Sequence, residues 1–151
     1  MTSISKKIIA ISAACTVLAL TGCDSDDLNI SIDTQLNGTW ASTCEYNGGS
    51  GYYETIDYEL YNTSASILLS SYNNASCTSV VDQTLYEGTV SQTGTVILGN
   101  GLSAAELLFK ATNPETDIAI EYISYFYANS YSMYEYTDPD YGYNFEFQRI
   151  Y

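Results

Sequence analysis

The chain has 151 residues, with 18 acidic and 4 basic side chains, no histidine and a formal net charge of −14 at pH 7. This charge disfavours nucleic-acid binding and peripheral membrane binding, because phosphate backbones and anionic headgroups recruit lysine and arginine. The absence of histidine removes the usual general base and the usual Ser-His-Asp and Cys-His catalytic groups. The 16 tyrosines, 4 phenylalanines and single tryptophan supply enough buriable surface for one folded domain. We therefore expect a folded protein that is not an enzyme.

The first 23 residues have the organisation of an export signal. Lys6 and Lys7 precede the apolar run 8–20, which is followed by two small residues and Cys23. The run is too short to cross a bilayer, which needs roughly 20 apolar residues, and the pattern is typical of a signal peptide. Residues 20–23 (LTGC) also resemble the lipobox of bacterial lipoproteins.

The resemblance to lipoproteins implies how the protein is held. In that family the signal peptidase cuts before the cysteine, whose sulfur carries a diacylglyceryl group. Residues 1–22 would be removed, Cys23 would carry the lipid, and residues 23–34 would form a flexible tether to a domain at 35–151. The predicted location is the bacterial cell envelope, on its periplasmic or surface side, with the lipid in the membrane. Inner and outer membrane both stay open, as does an ordinary secretory signal followed by a disulfide cysteine.

The lipoprotein resemblance also limits how the four cysteines can pair. Cys15 would leave with the signal peptide and Cys23 would be lipidated, so Cys44 and Cys77 would remain as a pair in an oxidising compartment. Such a pair is expected to form a disulfide. A metal site and free thiols are the alternatives, but two cysteines without histidine do not complete a usual zinc site. We predict no metal and no cofactor.

From Leu36 onward, hydrophobic residues alternate with polar ones, and glycine or asparagine clusters interrupt the pattern about every ten residues, as in an all-β sandwich or barrel. We count eight or nine antiparallel strands with short connections. This favours a closed meander barrel over the alternative two-sheet sandwich, because closure removes exposed edges. Gly94 is interpreted as the turn of a hairpin whose two strands are residues 85–91 and 95–98. Residues 104–111 fit a helix or a strand, and the neighbouring strands favour a strand.

The start of the first predicted strand carries a second resemblance. Residues 36–40 (LNGTW) resemble the G-x-W motif of the lipocalin and related calycin barrels. In that family the tryptophan closes one end of the barrel, and an arginine from the last strand usually covers it. The resemblance implies that Trp40 and Arg149 form this pair, in which a guanidinium over an indole contributes roughly 0.5–2 kcal/mol. The alternative is a core tryptophan and a surface arginine.

Two further features are candidates for binding sites. Residues 138–142 resemble the opening of a calcium loop but lack its later acidic ligands, so a tight turn is expected. Several tyrosines between residues 120 and 136 are candidates for a pocket lining or an interaction face, or else are half-buried sheet residues. They are Tyr122, Tyr125, Tyr127, Tyr134 and Tyr136.

The sequence supports two hypotheses about function. The first is a non-enzymatic cell-envelope lipoprotein with a partner-binding or structural role, in which the acidic surface would suit a basic protein partner. The second is a lipocalin-like carrier of a small apolar ligand in a tyrosine-lined barrel. An interior filled by side chains would argue against the carrier, whereas an open apolar cavity of about 300 Å³ or more would favour it.

Overall fold

The computed structural model describes residues 32–142 and 144–151. The predicted signal peptide, Cys23 and most of the predicted tether lie outside these residues. All regular structure within the described ranges is β-strand, and no helix there is long and apolar enough to span a membrane. The strands are β1 Gly38–Ser42, β2 Glu45–Asn47, β3 Tyr52–Tyr61, β4 Ser64–Tyr72, β5 Val80–Ile97, β6 Ser103–Thr112, β7 Ala119–Ala128, β8 Ser132–Tyr136 and β9 Phe145–Ile150.

The strands form one closed sheet. From β3 to β9 each strand pairs antiparallel with the next in sequence, and β1 pairs with both β3 and β9. The result is an eight-stranded antiparallel meander barrel with β2 as one extra strand, which is consistent with a lipocalin-like barrel. This confirms the predicted barrel over the sandwich, because the first and last strands of the sheet are paired. A barrel of eight strands is wide enough to hold one small ligand.

The extra strand β2 continues the line of β1 along β3. The last residue of β1 that pairs with β3 is Ala41, and β2 resumes this pairing at Glu45. The three residues between them, 42–44, lie opposite only two residues of β3. Such a one-residue excess is a β-bulge, which bends a strand and increases its twist. The bulge therefore separates the part of this strand that closes the barrel from the part that extends beyond it.

The hairpin predicted at Gly94 is wrong, because residues 80–97 form the single strand β5. Its pairing with β6 shifts in register between Gln92 and Gly94, which leaves Thr93 as an extra residue. The Thr93 hydroxyl donates to the Glu106 carboxylate across this shift, at 2.7 Å. A glycine within a strand marks a bulge as well as a turn. The local sequence does not distinguish the two.

The segment 104–111, which fitted either a helix or a strand, lies within β6 and pairs with β5 and β7. Its alternating residues Ala105, Leu107 and Phe109 are all buried in the core. Strand propensity depends largely on packing against such neighbours. The cross-strand partners therefore override the helix-favouring composition of this segment.

Side chains fill the barrel around Trp40 and the β3–β4 turn. Burying one large apolar side chain contributes roughly 1.5–3 kcal/mol, so this packed region supplies much of the stability of the fold. The fully buried side chains there are Trp40, Leu60, Val90, Leu107, Phe109, Phe126, Met133 and Phe147.

The folded domain begins before the predicted boundary. Ile32 is buried in the main core, and its backbone N–H donates to the Asn62 carbonyl at 3.1 Å. The backbone N–H of Asp33 donates to the Gln92 side chain, also at 3.1 Å. Ile32 and Asp33, which the sequence assigned to the tether, are therefore hydrogen-bonded to the barrel. A short polar stretch with one aliphatic residue has no periodicity that would reveal this contact.

Candidate functional site

One end of the barrel is closed by Trp40. Its side chain is fully buried, and its Nε1–H donates to the Leu36 carbonyl at 2.8 Å. The guanidinium of Arg149 lies over the indole, with Cζ 4.2 Å from the ring centroid, and its Nη2 donates to the Gln35 carbonyl at 2.6 Å. The two side chains meet because Trp40 of β1 and Arg149 of β9 are register partners. Arg149 therefore joins the entering chain to the tryptophan.

Gly38 is the glycine of the G-x-W motif, and its surroundings explain why a glycine is needed there. Its φ of 141° is a conformation that L side chains rarely adopt. A Cβ at this position would lie 3.3 Å from Nη1 of Arg149, which is tighter than an ordinary contact. Glycine therefore provides both the backbone conformation and the room for the guanidinium that covers Trp40.

The five candidate tyrosines do not share one face. Tyr122 points into the barrel, where its ring stacks on Phe109 with centroids 4.9 Å apart. The others lie on the outer surface, because successive side chains of a strand point to opposite faces. They form two register pairs across β7 and β8, Tyr125 with Tyr136 and Tyr127 with Tyr134.

The four outer tyrosines belong to a second apolar cluster outside the barrel. Tyr136 is 4 % exposed and packs with Leu98 and Ala104, from the end of β5 and the start of β6. The N–H of Gly99 donates to the Pro139 carbonyl at 2.9 Å, which joins the β5–β6 connection to the β8–β9 loop. These tyrosines therefore hold the β5–β6 connection against the barrel wall.

The end of the barrel away from Trp40 contains an open cavity of about 380 Å³. Six of the barrel strands and the β8–β9 loop contribute to its walls, which are mainly apolar. Cavities of roughly 300–1,000 Å³ with such walls are typical of small-ligand sites. The apolar and aromatic lining includes Ile56, Ile67, Tyr86, Ile120, Tyr122 and Phe145.

A buried carboxyl lies in the wall of this cavity. Glu135 is 5 % exposed, and its register partners are Phe126 of β7 and Phe145 of β9. The Tyr58 hydroxyl donates to Glu135 Oε2 at 3.3 Å across the barrel interior. The Tyr58 and Tyr122 hydroxyls are 3.1 Å apart. Since Tyr58 gives its single proton to the carboxyl, Tyr122 is the donor in that contact.

Burial raises the pKa of Glu135 above its ordinary value, while contact with the Ser124 and Tyr58 hydroxyls acts in the opposite direction. Burial also raises the pKa values of Tyr58 and Tyr122, and the negative charge of Glu135 adds to both shifts. Both tyrosines therefore stay neutral at physiological pH. Within the described residues, no cation is among the causes of the Glu135 shift. The carboxyl thus titrates in an apolar site with hydroxyl partners.

Sequence reasoning did not single out Glu135, although a signal for it was present. In β8 the inward face is the one that carries Met133, and Glu135 shares that face by its spacing of two. A carboxylate on the inward face of an apolar strand is a candidate site residue, because burying it without a counter-charge is unfavourable. The inward face of β8 could not be recognised from its hydrophobic residues, because Tyr134 on the outer face is as bulky and apolar as Met133 on the inner one.

Cys44 and Cys77 form the predicted disulfide, with Cα atoms 6.0 Å apart. Cys44 lies in the bulge between β1 and β2, and Cys77 lies in the β4–β5 connection. The bond therefore joins two connections at the cavity end of the barrel. No group of three or more potential metal ligands occurs within residues 32–142 and 144–151.

The cavity combines mainly apolar walls with three polar groups. Tyr58 and Tyr122 contribute neutral hydroxyls, and Glu135 contributes a buried carboxyl. Comparisons of the chain with protein-family models, with curated proteins and with solved structures find no match. Function is therefore inferred from the residues and geometry of this chain.

Replacing Glu135 with glutamine is expected to raise the free energy of unfolding near pH 7 by on the order of 1 kcal/mol. The pKa of Glu135 is higher in the folded than in the unfolded protein. The protonated carboxyl therefore stabilises the fold fully at pH values below its unfolded pKa, and this stabilisation is lost as pH rises through its folded pKa. Glutamine has a similar shape and no charge, so the variant should lack this loss. Urea unfolding followed by circular dichroism from about pH 4 to pH 8 measures the difference.

Glu59→Gln is the matched control for this measurement. Glu59 is exposed on β3, and its substitution changes the net charge by the same amount. We expect its free energy of unfolding to stay within about 0.5 kcal/mol of the wild-type value at each pH. Identical pH profiles for the wild type and Glu135→Gln would mean that Glu135 titrates as an exposed carboxyl, and would contradict its burial.

Proposed function

We propose that this protein is a non-enzymatic lipoprotein of the bacterial cell envelope that carries a small, largely apolar ligand inside its barrel. The observation that supports the carrier role is the open cavity of about 380 Å³ with mainly apolar walls. This volume lies above the roughly 300 Å³ at which small-ligand sites begin. The remainder of the barrel interior is packed with buried side chains, which bound the cavity on that side.

The point at which the chain enters the barrel supports an anchored carrier. Ile32 and Leu36 are buried in the same core cluster as Trp40, at the closed end. A lipid on Cys23 would therefore attach to the barrel through the chain that enters its closed end, away from the cavity. Ligand would then enter and leave while the protein stays attached.

The outer tyrosines give less support to a partner-binding role. They were considered as an interaction face, but Tyr136 is buried and the others pack with it beside Leu98. The acidic surface remains compatible with a basic protein partner. The cavity, by contrast, is a formed site with a volume and a chemistry that fit a ligand.

The carrier role is tested by filling the cavity. Nile red, a neutral apolar dye, is expected to bind the wild-type protein saturably with increased fluorescence. Ile120→Trp places a larger side chain in the cavity wall, and we expect it to weaken Nile red binding about tenfold or more, a loss of roughly 1.4 kcal/mol. Fluorescence titration gives both dissociation constants.

Ile118→Trp is the matched control, because Ile118 is 57 % exposed, lies two residues from Ile120 and does not line the cavity. It should bind Nile red with an affinity within about twofold of the wild type. Circular dichroism checks that both variants are folded. Equal binding by both tryptophan variants, or no saturable binding by the wild type, would contradict the carrier role.

A further inference from the structure

Glu135 is a feature of the cavity that an apolar ligand alone does not require. A buried carboxylate without a counter-charge lowers stability. The described residues contain two basic side chains, of which Arg149 covers Trp40 at the closed end. The other, Lys110, lies on the outer face of β6 as the register partner of Glu121. A cation that pairs with Glu135 inside the cavity would therefore have to come from a ligand.

Several aromatic side chains line the cavity that holds the carboxyl. Tyr58 and Tyr122 form the hydroxyl chain to Glu135, and Tyr86 and Phe145 line the same cavity. The negative faces of such rings attract a cation that lies within about 6 Å of the ring centroid, most strongly where water is excluded. The cavity therefore places a negative group among aromatic side chains, and both can attract a bound cation.

The charge of the whole chain favours the same class of ligand. A net charge of −14 attracts cations and repels anions, although salt limits this effect to about 10 Å at 0.1 M ionic strength. A fatty acid would bring a second carboxylate beside Glu135, and two like charges in one apolar site are strongly unfavourable. An amine of the same length would bring the counter-charge instead.

We propose that the cavity binds an apolar primary amine, whose ammonium group donates hydrogen bonds to the Glu135 carboxylate and lies beside the Tyr58 and Tyr122 hydroxyls. The inference rests on the proposed function, because it names the chemical class of ligand for the same cavity. The apolar body of the amine packs on Ile67 and Ile120. Where Glu135 is protonated before binding, it releases that proton to solvent, and the ammonium group keeps all of its protons.

The test compares octylamine, octanol and octanoate, which share an eight-carbon chain and differ in the head group. Each is used to displace Nile red from the wild-type protein at pH 7. We expect octylamine to bind about tenfold or more tightly than octanol, which corresponds to roughly 1.4 kcal/mol from a charge-assisted hydrogen bond. Octanoate should bind most weakly, because its carboxylate faces that of Glu135.

Variants identify the group that is responsible. Glu135→Gln is expected to abolish the preference for octylamine, so that the octylamine and octanol dissociation constants of the variant become similar. Glu59→Gln makes the same change in net charge on the outer surface and should keep the preference. Tyr122→Phe removes one hydroxyl and keeps the carboxyl, so it should reduce the preference by a smaller factor. Circular dichroism checks that each variant is folded.

Acidification gives an independent readout. The titratable groups that face the cavity are Tyr58 of β3, Tyr86 of β5, Tyr122 of β7 and Glu135 of β8. Only the carboxyl changes its charge between acidic and neutral pH. The preference for octylamine over octanol should therefore decrease as pH falls through the Glu135 pKa in the wild type. It should be absent at every pH in Glu135→Gln.

The outcomes separate this inference from the proposed function. If Nile red and octanol bind but octylamine binds no more tightly than octanol, the amine inference is overturned and the apolar carrier stands. If none of the probes binds the folded wild type, both are overturned. An undiminished octylamine preference in Glu135→Gln would also overturn the inference, because the ammonium group would then bind elsewhere.

Discussion

Replacing Trp40 with alanine is expected to lower the free energy of unfolding by about 3–5 kcal/mol, the usual effect of deleting a large buried aromatic side chain. Trp40 is fully buried, and the substitution also removes its hydrogen bond to the Leu36 carbonyl and the ring that Arg149 covers. Small domains have only about 5–15 kcal/mol of stability in total. The variant should therefore unfold at a much lower urea concentration, as measured by circular dichroism.

Two variants separate the contributions of Trp40. Trp40→Phe keeps most of the buried ring but leaves the Leu36 carbonyl without its donor, so we expect a smaller loss of about 1–3 kcal/mol. Tyr141→Ala removes a 75 % exposed aromatic ring and should change stability by less than about 0.5 kcal/mol. A loss below about 1 kcal/mol for Trp40→Ala would contradict its role in closing the barrel.

Trp40→Phe also distinguishes the two ends of the barrel. The cavity lining does not include Trp40, so Nile red affinity of the folded Trp40→Phe variant should stay close to that of the wild type. Stability and ligand binding would then depend on separate sets of side chains. The packed end contains the fully buried Trp40 and Leu60, whereas the cavity end leaves Tyr86 and Ile120 only partly buried.

The barrel could be predicted because its signals are local. Alternation such as Ala105, Leu107 and Phe109 marks an inward face within one strand, and the Asn62 and Gly101 turns supply backbone conformations with positive φ. Short connections between successive strands then favour a meander. The G-x-W resemblance located Trp40 and Arg149, the pair now seen at the closed end.

The parts that could not be predicted depend on distant partners. Gly94 lies at a bulge only because β6 pairs with β5 one residue out of register there. Ile32 is buried only because the β3–β4 turn accepts its N–H. Glu135 becomes a site residue only when β3 brings Tyr58 across the barrel to its carboxyl. Of these three, only Glu135 has a signal in the neighbouring sequence, its place two residues from Met133 on the inward face of β8.

Removing the Cys44–Cys77 disulfide is expected to lower the free energy of unfolding by about 3.5–4 kcal/mol, the chain-entropy estimate for a sequence separation of 33 residues. The bond closes a loop that contains β2, β3 and β4, so its loss gives the unfolded chain more freedom. The double variant Cys44→Ser/Cys77→Ser leaves neither thiol of the pair free to bond another cysteine. Urea unfolding of the double variant and the wild type measures the difference.

Reduction of the wild type with dithiothreitol is the matched control, because it breaks the bond without changing the sequence. Both treatments should give the same loss of stability if the bond itself is responsible. Antiparallel pairing of β3 with β4 holds Ile56 and Ile67 in the cavity wall without help from the disulfide. Nile red should therefore bind the folded double variant within about threefold of the wild type. A loss of less than about 1 kcal/mol in both experiments would mean that residual structure already restricts the unfolded loop, and would contradict the entropic role of the bond.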